Sequence, residues 1–321
     1  MYRTIIALAL AGVLSACTGG NPNDAGNDEG VGTGDQPLIV ETDTETEGET
    51  TTEDEGTDKF GADINADLTM NNVDFDEDTG EIILNNMPFD GEGNRYARAA
   101  AVSDALGAAG STFDAYANVG GGNSYFAVFR RTANSQVTAA GTNSYVSFGY
   151  GGVAAQRLNG DGSLPSTNDA YVFTGEYAAV RTIIDDTTGS QIQYVAGTVR
   201  IDVDIEDFDD IGAVQGIVSN RQFFDENGIE ITDIAGADFI SLATSQINFD
   251  NWTINSSTAS VIRDNTATAS GNWEGLFTGP NGEEVAGIVF TEGTGPVGID
   301  PDTGEYIEVQ VRESGGFIAE R

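Results

Sequence analysis

The sequence predicts an all-β protein in which a small β-rich domain precedes a C-terminal, soluble, antiparallel β-barrel of roughly eight strands. Three observations support this fold class. Apolar and polar residues alternate with a period of two after Phe60. Glycine accounts for 42 of 321 residues, about twice the ~7% average, which indicates many tight turns. No segment has a convincing amphipathic helical pattern, the nearest candidate being 97–109.

The charge and the residue types exclude several classes of function. The chain carries 13 Lys and Arg against 52 Asp and Glu, so its formal charge is 13 − 52 = −39. This charge opposes binding to nucleic acid. Histidine is absent and cysteine occurs once, which removes Ser-His and Cys-His catalysis, His-ligated zinc and internal disulfides. We therefore predict no catalytic residues, no metal and no cofactor.

The first sixteen residues have the pattern of an export signal. Arg3 precedes a short apolar run that is too short to span a bilayer. Leu14-Ser15-Ala16-Cys17 resembles a bacterial lipobox, which implies that Cys17 is the site of lipid attachment. Thr18 follows it rather than Asp, and by resemblance to sorted lipoproteins this favours the outer membrane. The alternative is an ordinary secretory signal with a cysteine near the cleavage point.

Residues 17–59 are predicted to form an acidic disordered tether. They consist mainly of Asp, Glu, Thr, Gly and Asn with almost no aromatic residues. Such a segment cannot bury enough apolar surface to offset the cost of ordering, and its like charges extend it. The functional interpretation is a spacer that holds the folded body away from the lipid headgroups, and the alternative is a disordered leader without that role.

The folded body begins with a hairpin and ends in a series of strands. Residues 72–75 and 81–84 flank the turn 76–80, and similar turns occur at 300–305 and 225–228. In the segment 195–206, Val199, Ile201 and Val203 share one face, while charged residues occupy the other. About eight such strands fit in the last 150 residues, which is the number that closes a side-chain-filled barrel. Charged outward faces argue against a transmembrane barrel.

Glycines recur within these strands and predict close approach of neighbouring strands in a small barrel. They are Gly175, Gly197, Gly216, Gly271, Gly275 and Gly287.

Three groups of carboxylates are the candidates for chemistry. The segment 74–80 resembles the start of a calcium loop, but its glycine is displaced by one position and Asn85 stands where a carboxylate is needed, so a plain hairpin turn is favoured. The cluster 206–210 is suited either to a cation or to a solvated loop. Glu283 and Glu284 would have to face each other to act as glycosidase carboxylates, yet adjacent strand residues point to opposite faces.

Four aromatic residues are candidate anchors for a protein ligand, because flat, rigid side chains on loops often carry binding energy. They are Phe223, Phe224, Trp252 and Tyr306. The alternative for each residue is ordinary packing in the barrel core.

A hairpin motif near the C-terminus resembles that of a known family. The segment 271–290 reads GNWEGLFTGPNGEEVAGIVF, in which Pro280 fixes one turn dihedral and Asn281-Gly282 provides the reversal. Supporting stretches are 170–177, 214–221 and 312–319. Together they resemble the β-barrel domain of transferrin-binding protein B and related surface lipoproteins, over about residues 165–321.

The resemblance implies a single handle-and-barrel lobe: a β-rich handle domain at 60–164 and a barrel domain at 165–321. It further implies a non-enzymatic, lipid-anchored protein of the outer membrane and cell surface that binds a protein or solute ligand, with iron acquisition as one role. No ligand-contact residue carries over, since fold does not specify ligand. The acidic surface predicts a partner with a basic face.

Two alternatives remain open. One is a structural or shielding envelope lipoprotein with no dedicated ligand. The other is a carboxylate-based hydrolase, which would need two carboxyl groups converging in one cleft within about 10 Å.

Overall fold

The computed structural model describes residues 58–166, 169–185, 189–205 and 212–321. The predicted signal peptide, Cys17, most of the predicted tether and the carboxylate cluster 206–210 lie outside these residues. The first strand begins at Asp58, so the last two residues of the predicted tether belong to a strand.

The handle is an antiparallel sheet of eight short strands in the order β1-β8-β7-β6-β5-β4-β3-β2. The sheet is curled, so that strands distant in this order come into contact. The Gln136 side chain of β7 donates a hydrogen bond of 2.8 Å to the carbonyl of Val73 in β2, at the far edge. The strand bounds are β1 Asp58–Phe60, β2 Val73–Asp76, β3 Glu81–Leu84, β4 Arg95–Arg98, β5 Asp114–Asn118, β6 Tyr125–Arg131, β7 Ser135–Thr142 and β8 Gly152–Arg157.

The C-terminal part is a closed antiparallel barrel of eight long strands, which confirms the predicted fold class. Closure is made by β16 and β9, whose register runs from Gln310↔Ile184 to Glu320↔Thr174. The strand bounds are β9 Ala170–Asp185, β10 Gly189–Asp204, β11 Ala213–Asp225, β12 Phe239–Asn248, β13 Thr253–Arg263, β14 Thr266–Thr278, β15 Glu284–Ile299 and β16 Tyr306–Glu320.

The barrel interior follows the predicted alternation. Val199, Ile201 and Val203 point inward and are buried, whereas Arg200 and Asp202 form an exposed ion pair on the outer face. Larger side chains, including Phe173, Trp273 and Phe317, fill the interior. The barrel is therefore a packed core and not an open channel.

Glycines within the barrel strands permit the close strand approach that the sequence predicted. A Cβ atom at Gly175 would overlap the carbonyl oxygen of Ile318, and one at Gly271 would overlap the carbonyl oxygen of Phe290. Both obstacles are backbone atoms that cannot rotate away. Any larger residue would therefore force the neighbouring strands apart.

One helix interrupts the handle, within the segment that was the nearest helical candidate. It is α1, Ala100–Ala108, between β4 and β5. Val102 and Leu106 on one face of α1 are buried against the barrel. Four of the nine residues of α1 are alanine, so its weak amphipathic pattern depends mainly on these two larger apolar residues.

The outer wall of the barrel packs against the handle through a continuous apolar layer. Val128 and Val137 of the handle belong to the same buried cluster as Val180, Ile288 and other barrel residues.

No helix in the described part of the chain is long and apolar enough to cross a membrane.

Candidate functional site

The two ends of the barrel differ in how they are closed. One end, here called the linker end, carries the turns 249–252 and 279–283 and the segment that enters β9. Arg157 at the end of the handle closes it: its guanidinium donates to the carbonyl oxygens of Phe277 at 2.9 Å and Asn251 at 3.1 Å. Leu164 packs into the barrel core beside them. The linker end is thus covered by the handle and its connection.

Trp252 lies at this linker end. It is half-buried and packs edge-on against Phe249, with ring centroids 5.4 Å apart, and against Phe277 at 6.2 Å. Arg157 also donates to its carbonyl oxygen at 3.3 Å. The observed contacts of Trp252 therefore close the base of the barrel.

The opposite end, here called the hairpin end, carries the turns 226–238, 264–265 and 300–305. A layer of buried ions lies directly beneath it. The Arg221 guanidinium is paired with both Asp238 and Glu313, and all three side chains are almost completely buried. The Tyr177 hydroxyl donates to Glu313 at 2.7 Å. Arg221 thus has a carboxylate on each of two sides.

Arg181 is the second buried arginine of this layer. It donates to the side-chain oxygen of Gln193 and to the carbonyl oxygen of Pro296, both at 2.9 Å. Phe223 lies between the two arginines, with the Arg181 and Arg221 guanidinium carbons 5.2 Å and 5.1 Å from its ring centroid. Cation–π contacts of this kind strengthen when they are desolvated.

Burial and ion pairing act in opposite directions on these two arginines. Burial lowers the pKa of Arg181 to about 10. Burial would also lower the pKa of Arg221, but the charges of Glu313 and Asp238 outweigh it and the pKa is raised. Burial, reinforced by Glu313, raises the pKa of Tyr177. At neutral pH both arginines are therefore charged and Tyr177 is neutral.

The layer is therefore a structural support. Two arginines balance two carboxylates, and the remaining cavity among them is about 10 Å³, enough for one water molecule at most. A substrate has no room here. What the layer provides is a rigid base for the turns above it.

The rim of the hairpin end is built on Tyr306 and Arg263. The Arg263 guanidinium lies 5.4 Å from the Tyr306 ring centroid and is paired with Glu308. Tyr306 keeps 38% of its surface exposed, and Ile299 of β15, with which it pairs, keeps 37%. Exposed apolar surface thus stands on an ordered support.

The turns around this rim are acidic. The segments 225–238, 264–265 and 300–309 contain ten Asp or Glu residues and no Lys or Arg. Ile229, at the centre of the first segment, is 65% exposed. The hairpin end therefore combines negative charge with isolated apolar side chains.

A second group of exposed apolar residues lies at one end of the handle. The handle tip consists of the loops 85–94, 119–124 and 143–151. Phe89 is 75% exposed, and its backbone has a positive φ of 65°, a conformation that is unfavourable for a bulky residue. Val146 is fully exposed, and Val119 and Tyr150 are partly exposed.

Hydrogen bonds hold Phe89 in this conformation. Its carbonyl oxygen accepts from the amides of Gly122 at 2.8 Å and Asn123 at 3.1 Å. The Asn118 side chain donates to the carbonyl of Asp90 at 2.6 Å. An exposed aromatic side chain on a loop fixed in a strained conformation is typical of a contact surface.

The handle tip lies beside the hairpin end. Ser190 at the start of β10 donates to the carbonyl of Tyr145 at 2.8 Å. A polar cleft of about 230 Å³ is lined by Asn143 of the handle, by residues 190–192 and by Asp225, Glu226 and Asn227. The two regions form one surface, which we call the distal surface.

The four predicted aromatic anchors do not come together. Phe223 and Phe224 are not exposed loop residues, as the prediction assumed, because both lie in β11 and are buried. Phe223 faces the barrel interior, and Phe224 faces the handle. Trp252 and Tyr306 occupy opposite ends of the barrel. Only Tyr306 belongs to the distal surface, and its ligand-binding role remains a prediction.

Two strongly exposed apolar residues of this surface, Phe89 and Ile229, were not among the predicted anchors. Phe89 follows Pro88 and precedes Asp90-Gly91, and Ile229 follows Asn227-Gly228. A large apolar residue next to a strong turn signal is the pattern that could have indicated them.

The carboxylate groups occur as hairpin and interface elements. Asp76 accepts from the amide of Asp78 and from Arg95, and this pairing with Arg95, followed by the turn hydrogen bonds, lowers its pKa. Glu283 holds its own turn through Asn281. Glu284 points the other way and accepts from Thr132 and Ser135 of the handle. The expectation that Glu283 and Glu284 point apart is confirmed.

No family model matches the chain, and no curated protein matches it. Solved structures do. A double mutant of transferrin-binding protein B from Haemophilus parasuis is 13% identical, with a TM-score of 0.36 over 77% of this chain and 44% of that one. Intact transferrin-binding protein B with both lobes is 11% identical, with a TM-score of 0.37 over 78% and 46%.

A structure described as a surface lipoprotein is 13% identical, with a TM-score of 0.32 over 60% of this chain and 79% of that one. The chain spans less than half the length of the two transferrin-binding protein B structures.

Proposed function

We propose that this chain is a non-enzymatic binding protein that captures a ligand on its distal surface. The single observation that carries the proposal is the composition of that surface, in which Phe89 and Val146 of the handle tip and Ile229 of the hairpin end are exposed beside acidic turns. Exposed aromatic and aliphatic residues on a rigid support favour protein recognition.

The orientation of the folded body supports the same proposal. Asp58, the first described residue, pairs with Gln156 next to Arg157, whose guanidinium reaches the linker end. The chain therefore enters the folded body on the side of the linker end. If Cys17 is lipidated and residues 17–59 act as a tether, the distal surface faces away from the membrane.

The chemistry of the ligand follows from the charge. Of the ten carboxylates in the three rim segments, Asp238 is buried against Arg221 and Glu308 is paired with Arg263. The other eight lie in segments without Lys or Arg and favour a partner with a basic face. Such binding is accelerated by long-range attraction and is weakened by salt. The lack of histidine and the closed ion layer argue against catalysis at this end.

Capture by the immobilised full-length chain tests the proposal. The candidate ligands are iron-loaded transferrin, which tests iron acquisition, and basic envelope or host proteins, each bound across a salt titration. Phe89→Ala should lower the affinity for the captured partner by about tenfold, as expected for a central aromatic anchor. Val172→Ser, at a 46% exposed valine on the barrel wall, is the matched control and should change nothing.

The alternative of a shielding lipoprotein makes a different prediction. It expects no retained partner under any salt condition, with both variants behaving like the parent chain. That result would remove the binding proposal and leave the envelope role.

The anchor and orientation are tested separately. Cys17→Ala should abolish incorporation of a radiolabelled fatty acid and release the protein from the membrane fraction. Protease shaving of intact cells should remove the folded body if it is displayed on the cell surface.

A further inference from the structure

The hairpin of β15 and β16 extends beyond the barrel wall. Pairing of β14 with β15 reaches Ala269↔Gly293 at this end, and pairing of β16 with β9 begins at Gln310↔Ile184. The pairing of β15 with β16 continues further, to Ile299↔Tyr306. The tip of this hairpin is therefore a two-stranded ribbon with an edge on each side.

The two edges of the ribbon differ in their capacity to bind another strand. The β15 edge contains Pro296, which has no N–H group and is buried beneath Arg181, and a register shift follows at Gly298. The β16 edge, Tyr306–Val309, contains no proline. We call it the open edge. Among the described residues, no strand other than β15 pairs with it.

The residues of the open edge favour an extended partner. The sequence Tyr-Ile-Glu-Val is rich in residues preferred in strands. Tyr306 and Glu308 face Arg263, so Ile307 lies on the opposite face of the ribbon, where it is 43% exposed. Within the described part of the chain, no strand other than β15 pairs with the backbone of this edge, and one apolar side chain is exposed on its free face.

Charge decides between the possible occupants of this edge. The segment 300–309 contains Asp300, Asp302, Glu305 and Glu308 and no basic residue. In the part of the chain that the structure describes, Glu308 forms an ion pair with Arg263, and the other three carboxylates form none. Pairing with a second copy of the chain would bring these carboxylates against their own copies, which is unfavourable. A strand carrying Lys or Arg would bring opposite charges together.

We propose that the open edge of β16 binds an extended, basic segment of a protein partner by strand addition, in which the partner's backbone continues the sheet. This inference rests on the proposed function, because it names how a partner of the distal surface docks. Lysine or arginine at alternate positions of that segment would lie on the face of Glu308, and the intervening apolar residues would lie beside Ile307 on the other face. Asp300, Asp302 and Glu305 of the adjoining turn would attract the basic segment at longer range.

A synthetic peptide tests the proposal with the full chain. The probe is an acetylated, amidated octapeptide of alternating lysine and valine. Controls are the same peptide with N-methyl groups on alternate amides and a peptide with glutamate in place of lysine. Loss of two or three backbone hydrogen bonds should weaken the N-methylated peptide about tenfold or more, and the glutamate peptide should not bind.

Hydrogen exchange locates the bound peptide. We expect slower exchange of amides within 306–309 at saturating lysine–valine peptide, and no change in the similar hairpin turn at 76–80. Glu305→Lys should weaken binding, whereas Glu77→Lys in that turn should not. The open edge is disproved as a binding site if the N-methylated peptide binds equally well or protection appears elsewhere. Concentration-dependent dimerisation of the unliganded chain through 306–309 would also overturn it.

The outcome is distinguishable from that of the proposed function. If the peptide does not bind but a protein partner is captured and depends on Phe89, only the strand-addition inference fails. If the peptide binds but no protein partner depends on Phe89, the handle part of the distal surface is wrong and the open edge stands.

Discussion

The two buried arginines of the barrel are stabilised by different kinds of partner. Arg221 has two carboxylate partners, whereas Arg181 relies on neutral oxygens and on the Phe223 ring. Removing water from a charge is costly unless a partner compensates it. The stability of the hairpin end should therefore depend strongly on the carboxylates beside Arg221.

Glu313→Gln should destabilise the protein by about 3–5 kcal/mol, because it leaves part of the Arg221 charge uncompensated and leaves one acceptor oxygen where Tyr177 and Arg221 now use two. Urea unfolding measures this change. Asp104→Asn at the exposed Arg98 pair is the control and should cost less than about 1 kcal/mol. Equal effects for the two variants would show that the buried layer is not a major source of stability.

Asp90 is a buried carboxyl group beneath the handle tip. It is 2% exposed and accepts from the Tyr96 hydroxyl at 3.1 Å. Burial raises its pKa above the ordinary value of 3.8, although the hydrogen bond from Tyr96 opposes this. The folded state thus favours the protonated form of Asp90.

The linkage between Asp90 and stability has a definite sign. With a folded-state pKa above the unfolded one, its contribution is fully present below pH 3.8 and is lost as pH rises through the raised pKa. Asp90→Asn removes this loss. The variant should gain stability relative to the parent chain as pH rises from about 3.5 towards 7, as followed by urea unfolding. A pH-independent difference between the two proteins would contradict the assignment.

At the scale of single elements, the barrel strands are defined by alternation and by glycine. Gly175 and Gly271 lie where a neighbouring carbonyl oxygen approaches too closely for a side chain. Gly298, in the ribbon, has open space around its Cβ position and no positive φ. Glycines in the strands of one barrel thus have different structural roles: some permit close strand approach, and others do not.

Gly175→Ala should destabilise the barrel by about 1–3 kcal/mol, the usual cost of overpacking, because the methyl group meets the backbone at Ile318. Gly298→Ala is the matched control and should change stability by less than about 0.5 kcal/mol. Thermal unfolding of both variants checks the pair. Comparable destabilisation by the two substitutions would mean that propensity, and not strand approach, sets the requirement for glycine.

At the scale of the whole molecule, the handle and barrel share one apolar layer and several polar contacts. Glu284 accepts from Thr132 and Ser135, each at 2.8 Å, and from Asn134 at 3.0 Å. Glu176 of the barrel accepts from Thr112 of the handle. The handle sheet would expose this layer if it separated from the barrel, so we expect both parts to unfold together.

Glu284→Ala should lower stability by about 2–3 kcal/mol, because the buried hydroxyl groups of Ser135 and Thr278 lose this acceptor and the partly buried Asn134 side chain loses it as well. Amide exchange at 132–135 should increase in this variant. Glu283→Ala, at the exposed neighbour, should have a smaller effect that is confined to the turn 279–283. Separate unfolding transitions of handle and barrel in the parent chain would show that the interface does not couple them.

The sequence determined the all-β class, the closed eight-stranded barrel and the inward face of β10, because strand periodicity and turn residues act over a few positions. It also identified the glycines that permit close strand approach. The position of Phe223 and Phe224 was not determined in this way. Alternation places one of them inside the barrel, but only packing of the handle on the wall decides that the other is also buried.

The distal surface likewise required the tertiary structure. Phe89, Ile229 and Tyr306 are far apart along the chain, and the contact of Ser190 with Tyr145 places the loops of the handle beside the hairpin end. The open edge arises because β15 and β16 are paired beyond the ends of β14 and β9. Local propensity sets the direction of each strand residue, whereas long-range register determines which residues meet and which backbone groups stay unpaired.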